Sequence, residues 1–369
     1  VSEPVVGEKR VTWAELLFDL VFVFAVTQTS ALLHVDHSWA GVGRALVLFV
    51  PVYWAWVGTS VHANTHEVDN PVDRLGIFAA GLGALFMALA IPAAYGDRGV
   101  LFGASYLGLR VVLAVLLFRN QPVTLTPYTV AVCVSGPLLL VGGLLPNPVR
   151  VAVWALAAVV DLATPMLLRT RLLSLHFEPA HLPERFGLLV IIALGESVVA
   201  IGAPAASSAH LGGDVVFAVM AAFALVCGLW WVYFVFAASA VRHAMETAAV
   251  QTDILRQVLS YGHLAFIAGI IAVAVGMAEA VAHPLAHLNG AIAGLLFGGC
   301  ALYLASFGYT RWRMFRKVAS TRLAAAAVVL ALLPAATLVP ALAALVVLVV
   351  VLGTLNLVEH VRVHRAGQI

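Results

Sequence analysis

Twelve stretches of this chain are each about twenty residues long, almost wholly apolar, and bounded by charged or turn-forming residues. A helix of that length rises about 30 Å at 1.5 Å per residue, the thickness of a bilayer's hydrocarbon core. Inside hydrocarbon every backbone N–H and C=O must be satisfied within the fold, which leaves spanning helices or closed barrels. A barrel strand alternates apolar and polar residues, and these runs are continuous. Composition points the same way: of 369 residues 63% are hydrophobic and 10% charged, where a soluble domain carries about 25% charge. The expected fold is therefore an all-α polytopic membrane protein. Its spans lie near 12–34, 42–62, 74–94, 99–119, 125–145, 149–169, 184–204, 214–238, 257–279, 287–309, 319–338 and 340–360.

Basic residues set the orientation. With the N-terminus inside, Arg44, Arg98 and Arg150 fall in outer loops, Arg110 falls within a helix, and the other sixteen of the 20 Lys and Arg lie on the inner side. A wrong helix count would swap sides partway and spoil this asymmetry. The expectation is a multi-pass protein of the cell (inner) membrane with both termini cytoplasmic. The first apolar run reads as a retained span, since no basic segment and small-residue cleavage site precede it. No basic stripe with interleaved aromatics supports nucleic-acid binding. Cys133, Cys227 and Cys300 all sit in apolar runs, without metal-ligand or disulfide spacing, and read as small core residues.

The chain carries signs of a tandem repeat. An acid opens helices 1 and 7 (Glu15, Glu184), and tryptophan pairs mark helices 2 and 8 (Trp54 and Trp56, Trp230 and Trp231). A polar inner loop and then Arg74 or Arg256 follow each pair. Two six-helix repeats are expected, 1–175 and 176–369, related by an axis along the membrane normal because six is even. The tryptophans read as packing or interfacial belts. Gly81 with Gly83, and Gly294 with Gly298 and Gly299, read as places of close helix approach.

Ionisable residues at membrane depth are the candidates for function. Asp19 lies two turns into the first span, where a carboxylate costs about 2.5–3.5 kcal/mol at a helix centre. Glu15 is four residues earlier, on the same helix face. Mutual repulsion between the two expects one to take up a proton from the cytoplasm; the plainer alternative is a helix-start acid at Glu15 and a paired Asp19. Arg110 in helix 4 and Asp161 in helix 6 share a depth with Asp19. They form either a static bridge of Arg110 to Asp161 or Asp19, or a site where a solute anion competes for Arg110. Glu196, beside Ser197 in helix 7, lies deep in the second half, protonated, cation-bound or reaching Arg110. Asp19, Arg110, Asp161, Glu196 and Ser197 are the expected substrate- or ion-binding set. Glu15, His263, Glu184 and Arg185 are the expected proton relay or gate, with an interfacial clamp as the plainer reading of Glu184 and Arg185. His62, Asn64, His66, Glu67, Asp69 and Asp73 read as a solvated inner loop, and Glu279, His283 and His287 as a wet outer one. No HExxH, Walker, haem-attachment, nucleophile-elbow or dinucleotide pattern is present, so no metal or cofactor is expected.

Two stretches carry a family resemblance. Glu15-Leu16-Leu17-Phe18-Asp19-Leu20-Val21-Phe22-Val23-Phe24 and Glu184-Arg185-Phe186-Gly187-Leu188-Leu189-Val190-Ile191-Ile192-Ala193-Leu194-Gly195-Glu196-Ser197 resemble the low temperature requirement A (LtrA) family of bacterial membrane proteins, in the expected order. Leu17 stands where an aromatic is common. The resemblance extends over nearly the whole chain and implies the membrane topology and these residues; the family's name records a growth phenotype rather than a chemistry. A looser, fold-level similarity is to two-repeat endolysosomal potassium channels, from which the chain departs at Gly187 and Leu188.

These readings together expect a transporter, proton-coupled, moving a small solute or ion through a site between the two halves. The alternatives are an ion channel, assembled as a homo-oligomer, and a membrane-embedded enzyme or ligand-binding scaffold for a lipid-soluble substrate. A purely structural protein with locked charges is the plainest fourth. Expected partners are membrane lipid and the small solute or ion.

Overall fold

Helices form where the apolar runs place them. A computed structural model describes residues 9–68, 70–173, 175–207 and 211–366, with side chains to Val363. In chain order the helices are α1 (Trp13–Val35), α2 (Trp39–Thr65), α3 (Pro71–Ala90), α4 (Gly99–Phe118), α5 (Pro127–Leu144), α6 (Val149–Leu167), α7 (His181–Ser207), α8 (Gly213–Phe234), α9 (Ala238–Thr247), α10 (Gln251–Ala282), α11 (Gly290–Phe315), α12 (Ser320–Ala336) and α13 (Ala341–Ala366). Among the described residues eleven helical segments are long and apolar enough to cross a membrane. The twelfth expected span is the shorter apolar α12, of 17 residues. The protein is thus an all-α, polytopic membrane protein.

Local chemistry explains the helix ends. Pro71 and Pro127 stand in the first turns of α3 and α5, where a missing N–H costs nothing. Asn70 accepts from the Asp73 N–H and Asn289 from the Ile292 N–H, capping α3 and α11. The carbonyls of Ala63 and Asn64, in the last turn of α2, and of His66 just beyond it accept from the Lys9 ammonium. Two helices contain wide π-type turns, Ala131–Ser135 in α5 and Leu255–Gly262 in α10. Such turns re-aim side chains and recur at functional sites; here they carry Ser135 and Arg256.

The helices gather into two compact units. The first is drawn from Val1–Thr29, Gly43–Leu189 and Arg242–Ser260. Within it α3 packs on α4, α4 on α5 and α5 on α6. The second is drawn from Ser30–Val42, Val190–Val241 and Tyr261–Ile369. Within it the later part of α10 packs on α11, α11 on α12, and α13 on both α8 and α12. Large apolar side chains such as Leu82, Val115, Phe217 and Val350 are exposed along the spans, as a lipid environment allows.

Several expectations about packing need correction. Cys300 is buried, but Cys133 and Cys227 are exposed, because their helix faces point outward. A Cβ at Gly299 would collide with α10, yet one at Gly294 or Gly298 would meet nothing within 4 Å, so close approach occurs at Gly299 and not at those two. The expected solvated loop after helix 2 is in part helix and core, while Glu67 is exposed and His66 half-buried outside the helix. His62 and Asn64 lie in α2, and both are buried, as is Asp73; Asp69 lies outside the described residues. Asp73 draws its partners inward: Arg119 Nη2 donates to Oδ2 at 2.7 Å, and His62 Nε2 stands 3.6 Å from Oδ1.

Candidate functional site

The first turn of α1 is built by a reciprocal cap. The Glu15 N–H donates to Thr12 Oγ1 at 3.4 Å, while the Thr12 N–H and hydroxyl donate to Glu15 Oε1 at 3.2 and 3.0 Å. Helical spacing then sets Asp19 one turn deeper on the same face. From α7, His181 and Arg185 stand four apart and also share a face. The two pairs meet. Arg185 Nη1 pairs with Glu15 Oε2, and Nη2 donates to Asp19 Oδ1 at 2.6 Å. His181 Nε2 lies 3.1 Å from Glu15 Oε2. Trp56 of α2 donates its indole N–H to Asp19 Oδ1 at 2.8 Å, and its ring centroid stands 5.6 Å from the Arg185 guanidinium. Phe186 closes the far side, edge-on to Trp56 at 4.9 Å. Glu15, His181 and Arg185 are wholly buried and Asp19 nearly so.

Hydrogen bonds set the tautomer of His181 in this cluster. Asn64 Oδ1 accepts from the Glu178 N–H at 3.1 Å, so its Nδ2 is the atom facing His181 Nδ1 at 3.2 Å. Nδ2 can only donate, so His181 Nδ1 must accept and carries no proton. His181 is therefore the neutral tautomer, with its N–H on Nε2 directed at Glu15. Both Glu15 oxygens accept hydrogen bonds. Asp19 Oδ1 accepts two, and Oδ2 has no partner. With both carboxylates ionised the buried group holds two negative charges against one positive. A single proton brings it to neutrality, and Asp19 Oδ2 is the oxygen free to receive it.

A broad cavity of about 1120 Å³ reaches this cluster's edge. Thr12 and Asn64, which bond Glu15 and His181, are among its walls, with Lys9, Arg10, His66 and Glu178.

Asp161 and Arg110 do not form the expected bridge. Asp161 Oδ2 accepts from the Tyr106 hydroxyl, and Oδ1 accepts from Ser135 at 2.6 Å. The Arg110 guanidinium instead lies over the Tyr106 ring, 4.8 Å from its centroid. Among the described residues no ion pair joins Arg110 to a carboxylate, and its Nε and Nη2 have no hydrogen-bond partner. Arg110 is buried and lines a separate cavity of about 710 Å³ in the same unit. Gly58 makes room for it: a Cβ there would stand 2.5 Å from Arg110 Nη1.

The remaining candidates are dispersed. Glu184 is exposed, facing away from its buried neighbour Arg185. Glu196 and Ser197 belong to the second unit, both buried, with the Ser197 hydroxyl 3.4 Å from the Ala193 carbonyl. His263, also there, has Nε2 at 2.7 Å from the Tyr233 hydroxyl, and Phe266 stands edge-on beside it. Outside the expected set, Arg322 and Glu359 form a nearly buried bidentate pair at 2.8–3.2 Å in the second unit. Trp56, Asn64 and His181 were also absent from it as site residues, although the His181–Arg185 spacing was visible on α7.

The family model for the Bacterial low temperature requirement A protein (LtrA) matches residues 10–357. An uncharacterized protein of Rhizobium meliloti (strain 1021), RA0937, is 32% identical over 323 residues, covering 83% of this chain and 77% of its own length. No solved structure matches.

Proposed function

We propose that this chain, which belongs to the bacterial low temperature requirement A (LtrA) family and is an integral membrane protein, is a transporter that couples proton uptake to movement of a small solute or ion. The observation that carries the reading is the charge count at Asp19: two buried carboxylates share one guanidinium and a neutral imidazole, one proton short of neutrality. A merely structural cluster would be balanced, since an uncompensated charge at membrane depth is costly. A proton-binding one exchanges a single proton at little structural cost. The cavity at the cluster's edge supports the reading by bringing water to Thr12 and Asn64, a hydrogen bond away from Glu15 and His181. Protonation of Asp19 removes the charge that holds Arg185 Nη2, which frees one arm of the clamp between α1 and α7. That is the kind of two-state contact a coupled transporter needs.

The cytoplasmic placement of both termini, the inner-membrane location and the two six-helix repeats at 1–175 and 176–369 belong to the same proposal. The test is flux in liposomes under an imposed pH gradient, over a panel of small anions and cations, for the wild type, Asp19→Asn and Glu196→Gln. At least one solute is expected to move faster with the gradient, and Asp19→Asn to abolish the gradient's effect. Flux indistinguishable among the three at every solute overturns the reading.

A further inference from the structure

We infer that the 710 Å³ cavity of the first unit is a binding site for a small amphipathic organic anion: a carboxylate, phosphate or sulfonate on an apolar body. Its charge is one-sided. Arg110, Arg171 and Arg256 line it together with two histidines, and no Asp or Glu does. Most of the other wall is apolar, with Trp54, Phe118 and Phe177 among it. Such a mixture, mostly apolar with a few convergent polar groups, is the ordinary make-up of a small-molecule site.

The deep end is Arg110. It stands eight residues from the inner end of α4, about 12 Å along the axis. Its guanidinium is buried, and two of its three nitrogens have no hydrogen-bond partner. Two donors that are buried and unpartnered in a planar guanidinium suit an oxyanion. Asp161, the acid that sequence spacing offers it, bonds the Tyr106 and Ser135 hydroxyls and acts on Arg110 only at a distance, leaving the guanidinium without a direct acidic partner. Near Arg110 the absence of a side chain at Gly58 keeps the guanidinium seated, and Tyr128 holds the Gly58 carbonyl at 2.8 Å. Arg256 adds a second nearly buried guanidinium. One of its arms is taken by Asp253 at 2.8 Å, and its Nε has no partner. An anionic head therefore seats at Arg110 with its apolar body along the aromatic wall. The depth favours a soluble anion over a phospholipid, whose headgroup belongs at the interface.

This inference deepens the transport reading by naming the solute's class, but it requires binding alone. The test is titration of the full chain, in phosphatidylcholine nanodiscs, with phenyl phosphate, inorganic phosphate and benzyl alcohol, against empty discs. Saturable one-site binding of phenyl phosphate is expected, at least tenfold tighter than that of the other two. Arg110→Gln should weaken it tenfold or more. Gly58→Ala, which displaces only the flexible end of Arg110, should weaken it severalfold with the fold intact. Binding should persist in discs containing phosphatidylglycerol. No saturable binding, equal binding by Arg110→Gln, or equal binding of benzyl alcohol or inorganic phosphate overturns the inference. Loss of binding in phosphatidylglycerol discs also overturns it, in favour of a lipid headgroup. Binding without proton-driven flux of any solute contradicts the transport reading and leaves this site standing.

Discussion

Arg185 Nη2 donates to Asp19 Oδ1 at 2.6 Å, joining a carboxylate two turns into α1 to a guanidinium in the first turn and a half of α7. The other arm of the same guanidinium holds Glu15. One side chain thus answers two buried charges, and the consequences of removing it are unusually clear.

Arg185→Gln leaves Glu15 and Asp19 facing each other without a cation. Breaking one side of a buried pair costs about 3–5 kcal/mol. The melting temperature of the detergent-solubilised protein should fall sharply, and adding Asp19→Asn to Arg185→Gln should recover part of the loss. Arg185→Lys should behave as a disruptive change, because an ammonium cannot span both carboxylates in the fork geometry. A wild-type melting temperature for Arg185→Gln contradicts the bridging role.

His181 should be the neutral tautomer protonated at Nε2, because Asn64 presents a donor to Nδ1. ¹⁵N spectra of labelled histidine, assigned with His181→Gln, should show this form at neutral pH. Imidazolium shifts for His181 would contradict the charge count of the cluster.

The helical fold class and several members of the cluster were legible in the chain. Twenty-residue apolar runs have one physical solution in lipid, so the span positions followed, and α12 differs only in its modest length. Asp19 and Glu15 stood out because carboxylates at that depth are expensive. Partner choice was less legible. Arg110 was the cation at Asp161's depth, yet two neutral hydroxyls satisfy Asp161, and nothing in linear spacing ranks a hydroxyl above a guanidinium. Arg185 read together with Glu184, as a relay or gate or as an interfacial clamp; a turn of about 100° per residue sends Glu184 outward and Arg185 wholly inward. Trp56 read as a packing or belt tryptophan; its bond to Asp19 was hidden because the two lie 37 residues apart.

In the second unit, Glu359→Ala should destabilise by about 3–5 kcal/mol, since Arg322 would lose its carboxylate while remaining nearly buried. The double change Arg322→Met with Glu359→Leu should be close to neutral, because two charges leave together. Thermal denaturation of the single and double variants checks this; a double variant as unstable as Glu359→Ala would contradict it.

Gly143 lets α5 approach α4 backbone to backbone: a Cβ there would stand 2.5 Å from the Gly99 carbonyl oxygen. Neither atom can swing aside. Gly143→Ala should cost about 1–3 kcal/mol through overpacking, read as a lowered melting temperature. Gly294→Ala meets nothing within 4 Å and should leave it unchanged.

The proton itself can be observed. Infrared difference spectra across a pH titration of the membrane-reconstituted protein report the carbonyl stretch of a protonated carboxylic acid in a buried setting. The expected result is one such band that appears on acidification, vanishes in Asp19→Asn, and in Glu15→Gln, where one carboxylate faces one guanidinium, appears only at lower pH. A band that survives in Asp19→Asn, or spectra with no buried carboxylic acid at any pH at which the protein stays folded, would contradict the placing of the exchangeable proton on Asp19.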